Sequence, residues 1–249
     1  KMQKKRRIFA CYLEHNYFFM SCILSIDTST NVCSVAVSHD GCCVFDKEEH
    51  SGPNHAEKLG TFVDEALSFI DDNNLHLDAV AVSGGPGSYT GLRIGVSMAK
   101  GICYGRNTKL LAIPTLELLS VPVLLHHEEI EENALIVPMI DARRMEVYAQ
   151  VFDRSLKTIR PIHADIVDEN TYQEYLDKGP VYFFGNGAEK CMKVINHPNA
   201  HLITGIEALA KNMLPLAEKR IAEEKFEDVA YYVPFYLKDF VAKEAKPLL

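Results

Sequence analysis

The sequence predicts an α/β protein built as two copies of one unit. Three observations carry this. Strand-like and helix-like stretches alternate along the chain. A strand ending in Ile26-Asp27 is echoed by one ending in Ile140-Asp141, with Val147, Ala149 and Val151 at the same offsets from Asp141 as Cys33, Val35 and Val37 from Asp27. The length, 249 residues, is near the size at which one core divides into two. The echo is short, so a chance likeness of two hairpins stands beside duplication.

The opening stretch KMQKKRRIFACYLEHNYFFM has the basic start and apolar run of a signal peptide. Glu14, His15 and Asn16 interrupt the run and no small-residue cleavage signature follows. Met20 stands directly before a strong strand, so residues 1–19 read as an upstream extension. CILSIDTSTNVCSVAVSHDGCCVF then reads as two β-rich runs forming a hairpin, because Cys33, Val35 and Val37 alternate with Ser34, Ala36 and Ser38.

Next, Leu59, Phe62, Val63, Ala66, Leu67 and Ile70 recur at helical spacing from Asn54 to about Ile70, with Asn54 and Glu57 placed as a capping box. LDAVAVSGG is a buried strand, followed by a glycine-rich turn and a helix from Thr90, its expected cap, to about Tyr104. Gly91, Gly95, Ser97, Ala99 and Gly101 would let another helix approach that one closely. The second unit opens at ALIVPMIDARRMEVYAQVFDRS and continues through VYFFGNGAEK and helical stretches from Ile206 to Glu224. The expected division is residues 20–118 for an N-terminal lobe and 119–249 for a C-terminal lobe and tail.

The formal charge of -8 understates the acidity of the body, because residues 1–19 set five Lys and Arg against Glu14 alone. Such a surface repels a phosphate backbone unless a partner supplies a basic patch. Cys11, Cys22, Cys33, Cys42, Cys43, Cys103 and Cys191 show no paired spacing of the zinc or thioredoxin kind, which suits a reduced, cytoplasmic setting and small buried side chains. No window holds the roughly 18 consecutive apolar residues of a membrane helix.

Several residues invite chemistry and each has a plainer reading. In DTST, Thr28 and Ser29 can hold phosphate oxygens and Asp27 can orient a hydrated cation, or Asp27 simply shapes an Asx turn. Gly84, Gly85 and Gly87 can admit an anion to a helix N-terminus or only allow a tight turn. Asp141, Arg143 and Arg144, with Gly185 and Gly187 of the GNGA turn, read as a phosphate contact or as solvated turns with a salt bridge. His126-His127 suit a solvated loop, and His55 suits a surface or interface place better than ligation.

Taken in order, ILSIDTS, HAEKLGTFVDEAL, VSGGPGSYTGLRIGVSMAKGI, IDARRMEVYAQVF, GNGAEK and VPFYLK resemble the TsaB (YeaZ-like) family over about Met20 to Lys243, GPGSYTGLRIG being the most specific. The resemblance implies two ribonuclease-H-like lobes of the actin/Hsp70/sugar-kinase superfamily, in which a DTST-type turn approaches a nucleotide phosphate. It implies a non-catalytic subunit needed to place threonylcarbamoyl on adenosine 37 of tRNA, paired with a TsaD-type catalytic subunit and joined by a TsaE-type ATPase. tRNA is then met through the complex, no cofactor belongs to the chain itself, ATP or ADP belongs to the complex interface, and the free chain can form a homodimer.

The catalytic relatives carry a metal-binding His pair in an HHLExH-like stretch. Here the corresponding IPTLELLS offers Thr115, Leu116, Glu117, Leu118 and Leu119, which suit a packed helix face, so neither a metal nor a catalytic residue is expected. The implied partner surface is His55, Leu59, Phe62 and Val63 on the first helix and Gly91, Arg93, Gly95, Ser97 and Ala99 on the second. The competing readings are an ATPase or kinase using Asp27, Thr28, Ser29, Asp141 and the GNGA turn, and a peptidase, for which no nucleophile and base pair is evident.

Overall fold

The computed structural model describes residues 21–238 apart from 51, 53 and 54. The expected extension at 1–19 and the expected cap at Asn54 lie outside the described residues. Two five-stranded sheets follow one plan. In the first, β1 (Cys22–Asp27), β2 (Cys33–His39) and β3 (Cys42–Glu49) form an antiparallel meander, and β4 (Ala79–Gly85) and β5 (Lys109–Pro114) extend it in parallel, in the order β3-β2-β1-β4-β5. In the second, β6 (Leu135–Asp141), β7 (Glu146–Asp153) and β8 (Thr158–Ile166) form the meander, with β9 (Val181–Phe184) and β10 (Ala200–Ile203) parallel to β6, in the order β10-β9-β6-β7-β8. Each sheet thus has a three-stranded antiparallel meander extended by two parallel strands on the side of its first strand, the ribonuclease-H-like arrangement twice over.

Parallel neighbours need crossovers, and the two lobes supply them differently. In the first lobe α1 (His55–Asp72) and α2 (Tyr89–Arg106) have 18 residues each, whereas in the second α4 (Gln173–Leu176) and α5 (Ala188–Cys191) have four each. α1 turns Leu59, Val63, Ala66 and Ile70 inward against Leu24, Ile26, Val35 and Val37. α2 is capped by Ser88, not Thr90: the Ser88 hydroxyl accepts from the Gly91 amide at 3.2 Å, and Asn107 closes the other end with φ of 51°.

Between the sheets lies α3 (Thr115–His126), whose Leu116, Leu118, Leu119, Val121 and Val123 are buried among residues of both lobes. A helix apolar all round belongs inside a protein, and each fully buried Leu contributes about 1.5–3 kcal/mol.

The hairpin of β1 and β2 is as expected, and two features go beyond the sequence reading. A third strand, β3, follows the first hairpin; its residues CCVFDKEE lie at a sheet edge and are mostly exposed or half-buried, so no apolar alternation marks it. The expected C-terminal lobe does not keep its tail. A 3-10 turn (Ala210–Met213) and α6 (Leu214–Ala222) pack on the first sheet, where the Ala210 amide donates to Ser34 Oγ at 2.9 Å. Beyond them Glu227 pairs with Leu110, Lys100 Nζ donates to the Ala230 and Tyr232 carbonyls at 3.0 Å each, and the Phe235 amide donates to Gly84 O at 2.8 Å.

Candidate functional site

The turn after β1 is sealed. Asp27, Thr28 and Ser29 are each fully buried. The Ser29 hydroxyl donates to the Asp27 carboxylate at 2.9 Å and its amide to the same group at 3.2 Å, while Thr28 Oγ1 donates to Gly91 O at 2.7 Å. The Ser88 amide donates to Ser29 O at 2.7 Å. α2 and the turn leading into it come this close because they carry no side chain where they cross: a β-carbon on Gly87 in the turn would press on Ser29 O, one on Gly91 on Thr28 O, and one on Gly95 on Thr28 Oγ1. Burial pushes the Asp27 carboxyl up to about 6, against the opposing pull of its Ser29 hydrogen bonds. The expected phosphate contact through Asp27, Thr28 and Ser29 is therefore corrected, since those hydroxyls and the Ser29 amide are already spent inside the protein.

The equivalent turn after β6 is open. Asp141, Arg143 and Arg144 are exposed. The Asp141 carboxylate accepts from Lys190 Nζ and, at 2.8 Å, from the Arg143 amide, and the Asp141 amide donates to Asn186 Oδ1 at 2.9 Å. Gly185 and Gly187 do not reach toward solvent as a phosphate loop would. Gly185, at φ of 93°, rests on Met139 O, and a β-carbon on Gly187 would meet Val147 Cγ1 at 2.8 Å. Lys190 and Asn186 are neighbours of this turn that the sequence did not single out, because their partners are more than 40 residues away.

Where the lobes meet, a cavity of about 80 Å³ is lined by Thr30, Asn31, Leu119, Asn186, Ile206 and Glu207 among others. Ligand pockets usually reach about 300–1,000 Å³.

The two long helices offer a surface, but with other residues than expected. His55, Leu59, Val63, Gly91, Gly95 and Ala99 are buried within their own lobe, and His55 Nε2 lies 3.2 Å from Asn31 O, so these positions are corrected from partner contacts to core. Phe62 is half-buried, and only Arg93 and Ser97 are exposed. An open groove of about 660 Å³ runs between α1 and α2, lined by Ala56, Arg93, Ile94, Ser97, Met98 and Gly101. Arg93 stacks over the Tyr89 ring at 4.3 Å, and Tyr104, 87% exposed, continues the same face.

Elsewhere, Glu117 lies 3.7 Å from Arg220, and His127 pairs with Glu129 at 2.7 Å. Among the described residues no three His, Cys, Asp or Glu side chains gather at metal-binding reach, and no helix is long and apolar enough to cross a membrane. Cys22, Cys33, Cys103 and Cys191 are free and buried, whereas Cys42 and Cys43 are exposed, which corrects the expectation for that pair.

Comparison with known proteins aligns with this architecture. Residues 49–246 match the family model described as "TsaD: tRNA N6-adenosine threonylcarbamoyltransferase". The chain is 29% identical to the tRNA threonylcarbamoyladenosine biosynthesis protein TsaB of Escherichia coli (strain K12), over 90% of this chain and 98% of that one. It is 33% identical to the like-named protein of Haemophilus influenzae over 51% of each. YeaZ from Pseudomonas aeruginosa superposes with a TM-score of 0.73 at 25% identity, over 88% of this chain and all of that one. A further Pseudomonas aeruginosa structure, of "an uncharacterized protein with similarity to peptidase YEAZ", gives 0.74 at the same identity and the same coverage of both chains.

Proposed function

The chain belongs to the TsaB/YeaZ family, and from that premise we propose that it is the non-catalytic subunit required for threonylcarbamoyl transfer to adenosine 37 of tRNA, acting by binding a TsaD-type catalytic subunit. The observation that carries the non-catalytic reading is the closed Asp27-Thr28-Ser29 turn. A nucleotide enzyme of this architecture needs that turn open to phosphate and cation, and here α2 fills the space. The groove between α1 and α2, apolar with Arg93 at its edge, supports docking of a partner's helices, a contact that would bury roughly 1,200–2,000 Å². On this reading a TsaE-type ATPase joins the pair, tRNA is engaged through the complex, ATP or ADP is held at the complex interface, and the free chain pairs with itself in the cytoplasm.

Ser97→Arg tests it. Ser97 is exposed in the groove, so the variant keeps its stability within about 0.5 kcal/mol. A bulky charge that cannot be desolvated unpaired should abolish co-purification with the TsaD-type subunit and tRNA modification in a reconstituted assay. Normal binding by the variant would remove the assigned surface. ATP turnover by the chain alone at about 1 to 1,000 per second would remove the non-catalytic reading, and metal-dependent cleavage of casein would replace it with the peptidase one.

A further inference from the structure

The turn between β6 and β7 has a construction that packing does not require. Among the described residues, two turns place consecutive residues in the left-handed region. One is Asp40-Gly41 between β2 and β3, at φ of 51° and 74°, and the other is Arg143-Arg144, at 73° and 51°. Asp-Gly is the usual filling for such a turn, since Gly lacks the β-carbon that crowds the backbone there and Asp tolerates it. Arg has neither advantage.

Nearby carboxylates do not explain the choice. Asp141 is taken by Lys190 Nζ and the Arg143 amide, and Glu146 is taken by Lys238 Nζ. Lys190 also donates to the Arg144 and Glu146 carbonyls at 2.7 Å each, which fixes the turn through its backbone. Both guanidinium groups are thus held outward, on residues exposed to solvent and without an ion pair among the described residues. Lys190 and Lys238 are paired with Asp141 and Glu146, which leaves the Arg143 and Arg144 charges unpaired among the described residues, on an otherwise acidic protein.

We propose that Arg143 and Arg144 form a contact for the phosphate backbone of RNA, which rests on the tRNA-modifying role proposed above. A planar guanidinium pairs with two oxygens of one phosphate, and two successive ones suit a strand of phosphodiesters. A free nucleotide is a poorer fit, because its base and sugar need a concavity and the cavity that Asn186 lines beside this turn is about 80 Å³. Such a contact adds to tRNA held mainly by the partner, so the acidity of the rest of the chain does not oppose it.

The experiment is tRNA binding as a function of salt, by the complex with the TsaD-type subunit and by the chain alone, for the wild type and for Arg143→Asn/Arg144→Gly. That double variant removes both charges and suits the left-handed backbone, so its melting temperature should be equal to or above wild type and complex formation unchanged. The complex should then lose several-fold in tRNA affinity at low salt, and the slope of log affinity against log salt should shrink by about 1 to 2. Unchanged affinity and slope in an intact complex overturn the contact. Unchanged tRNA binding with weakened ATP binding overturns it too, and assigns the arginines to a nucleotide phosphate. Should the wild type form no complex, the proposed function fails and the RNA contact, which rests on it, fails with it; an intact complex whose affinity and slope the variant leaves unchanged removes the contact alone.

Discussion

The turns after β1 and β6 occupy the same place in two copies of one unit and end on the same residue, Asp27 or Asp141, yet one is fully buried and the other exposed. The difference lies in the helix that follows the parallel neighbour. After β4 comes an 18-residue helix whose glycines lie directly on Thr28, and after β9 comes a four-residue one that leaves its turn bare. A single structural plan thus gives a sealed strut in one lobe and a charged outward turn in the other, and the crossover length decides which.

The largest effect expected from breaking the comparison is at Gly91. A β-carbon there would overlap Thr28 O, a backbone atom that cannot move without opening the turn. Overpacking typically costs about 1–3 kcal/mol, and with no flexible group to yield, Gly91→Ala should reach about 3 kcal/mol in denaturant unfolding. Gly101, on the same helix with nothing within 4 Å, is the control: Gly101→Ala should be neutral or stabilising by up to about 1 kcal/mol. Equal stability of Gly91→Ala and wild type would show that the helix does not seal the turn.

Asp27 comes next, and its sign follows from burial. With the folded carboxyl raised to about 6 from the ordinary 3.8 of an aspartate, the folded state binds the extra proton in between. Its contribution to stability is therefore fully present below about pH 4, is lost as pH rises through 6, and amounts to about 3 kcal/mol at one unit per 1.4 kcal/mol. The wild-type melting temperature should fall from pH 5 to pH 8 more than that of Asp27→Asn, which cannot ionise. Because Glu218 is raised in the same direction by burial, the difference between the two proteins isolates Asp27. Under the non-catalytic reading Asp27→Asn also keeps tRNA modification within a few-fold, and a loss of about a hundredfold would favour the kinase alternative.

What the sequence made legible was local. Period-2 and period-3.6 patterns announced β1, β2, α1, α2 and the apolar run of α3, and the equal offsets around Asp27 and Asp141 announced the duplication. The small residues Gly91, Gly95 and Ala99 correctly signal a close approach along one stripe of α2, but a stripe does not name its neighbour. That neighbour is Thr28 and the sheet below, which leaves Ser97 and Arg93 on the opposite face for a partner. The tail's return to Leu110, Lys100 and Gly84 has no local signature, since it is written in hydrogen bonds of backbone groups and the Lys100 ammonium between segments more than 100 residues apart. For the same reason Lys190, which shapes the open turn, could not be read from GNGAEK alone.

The smallest effect separates the turns most cleanly, because it reverses sign. Asp141→Asn keeps an oxygen able to accept from the Arg143 amide and removes only the charge facing Lys190. The pair is partly solvated, with side-chain exposures of 46% for Asp141 and 21% for Lys190, so screening by water and salt holds its worth to about 0.5 kcal/mol. Lys190 still has the Arg144 and Glu146 carbonyls to bind, so the turn keeps its shape. At pH 8 the same Asp to Asn change should therefore stabilise at position 27, where a buried charge is removed, and slightly destabilise at position 141, where a paired surface charge is lost. The second effect should fade in about 1 M salt while the first persists, because the Debye length there is only about 3 Å and a buried group is screened little. A cost above about 2 kcal/mol for Asp141→Asn, insensitive to salt, would mean that the second turn is as deeply built into its lobe as the first, and the contrast between them would collapse.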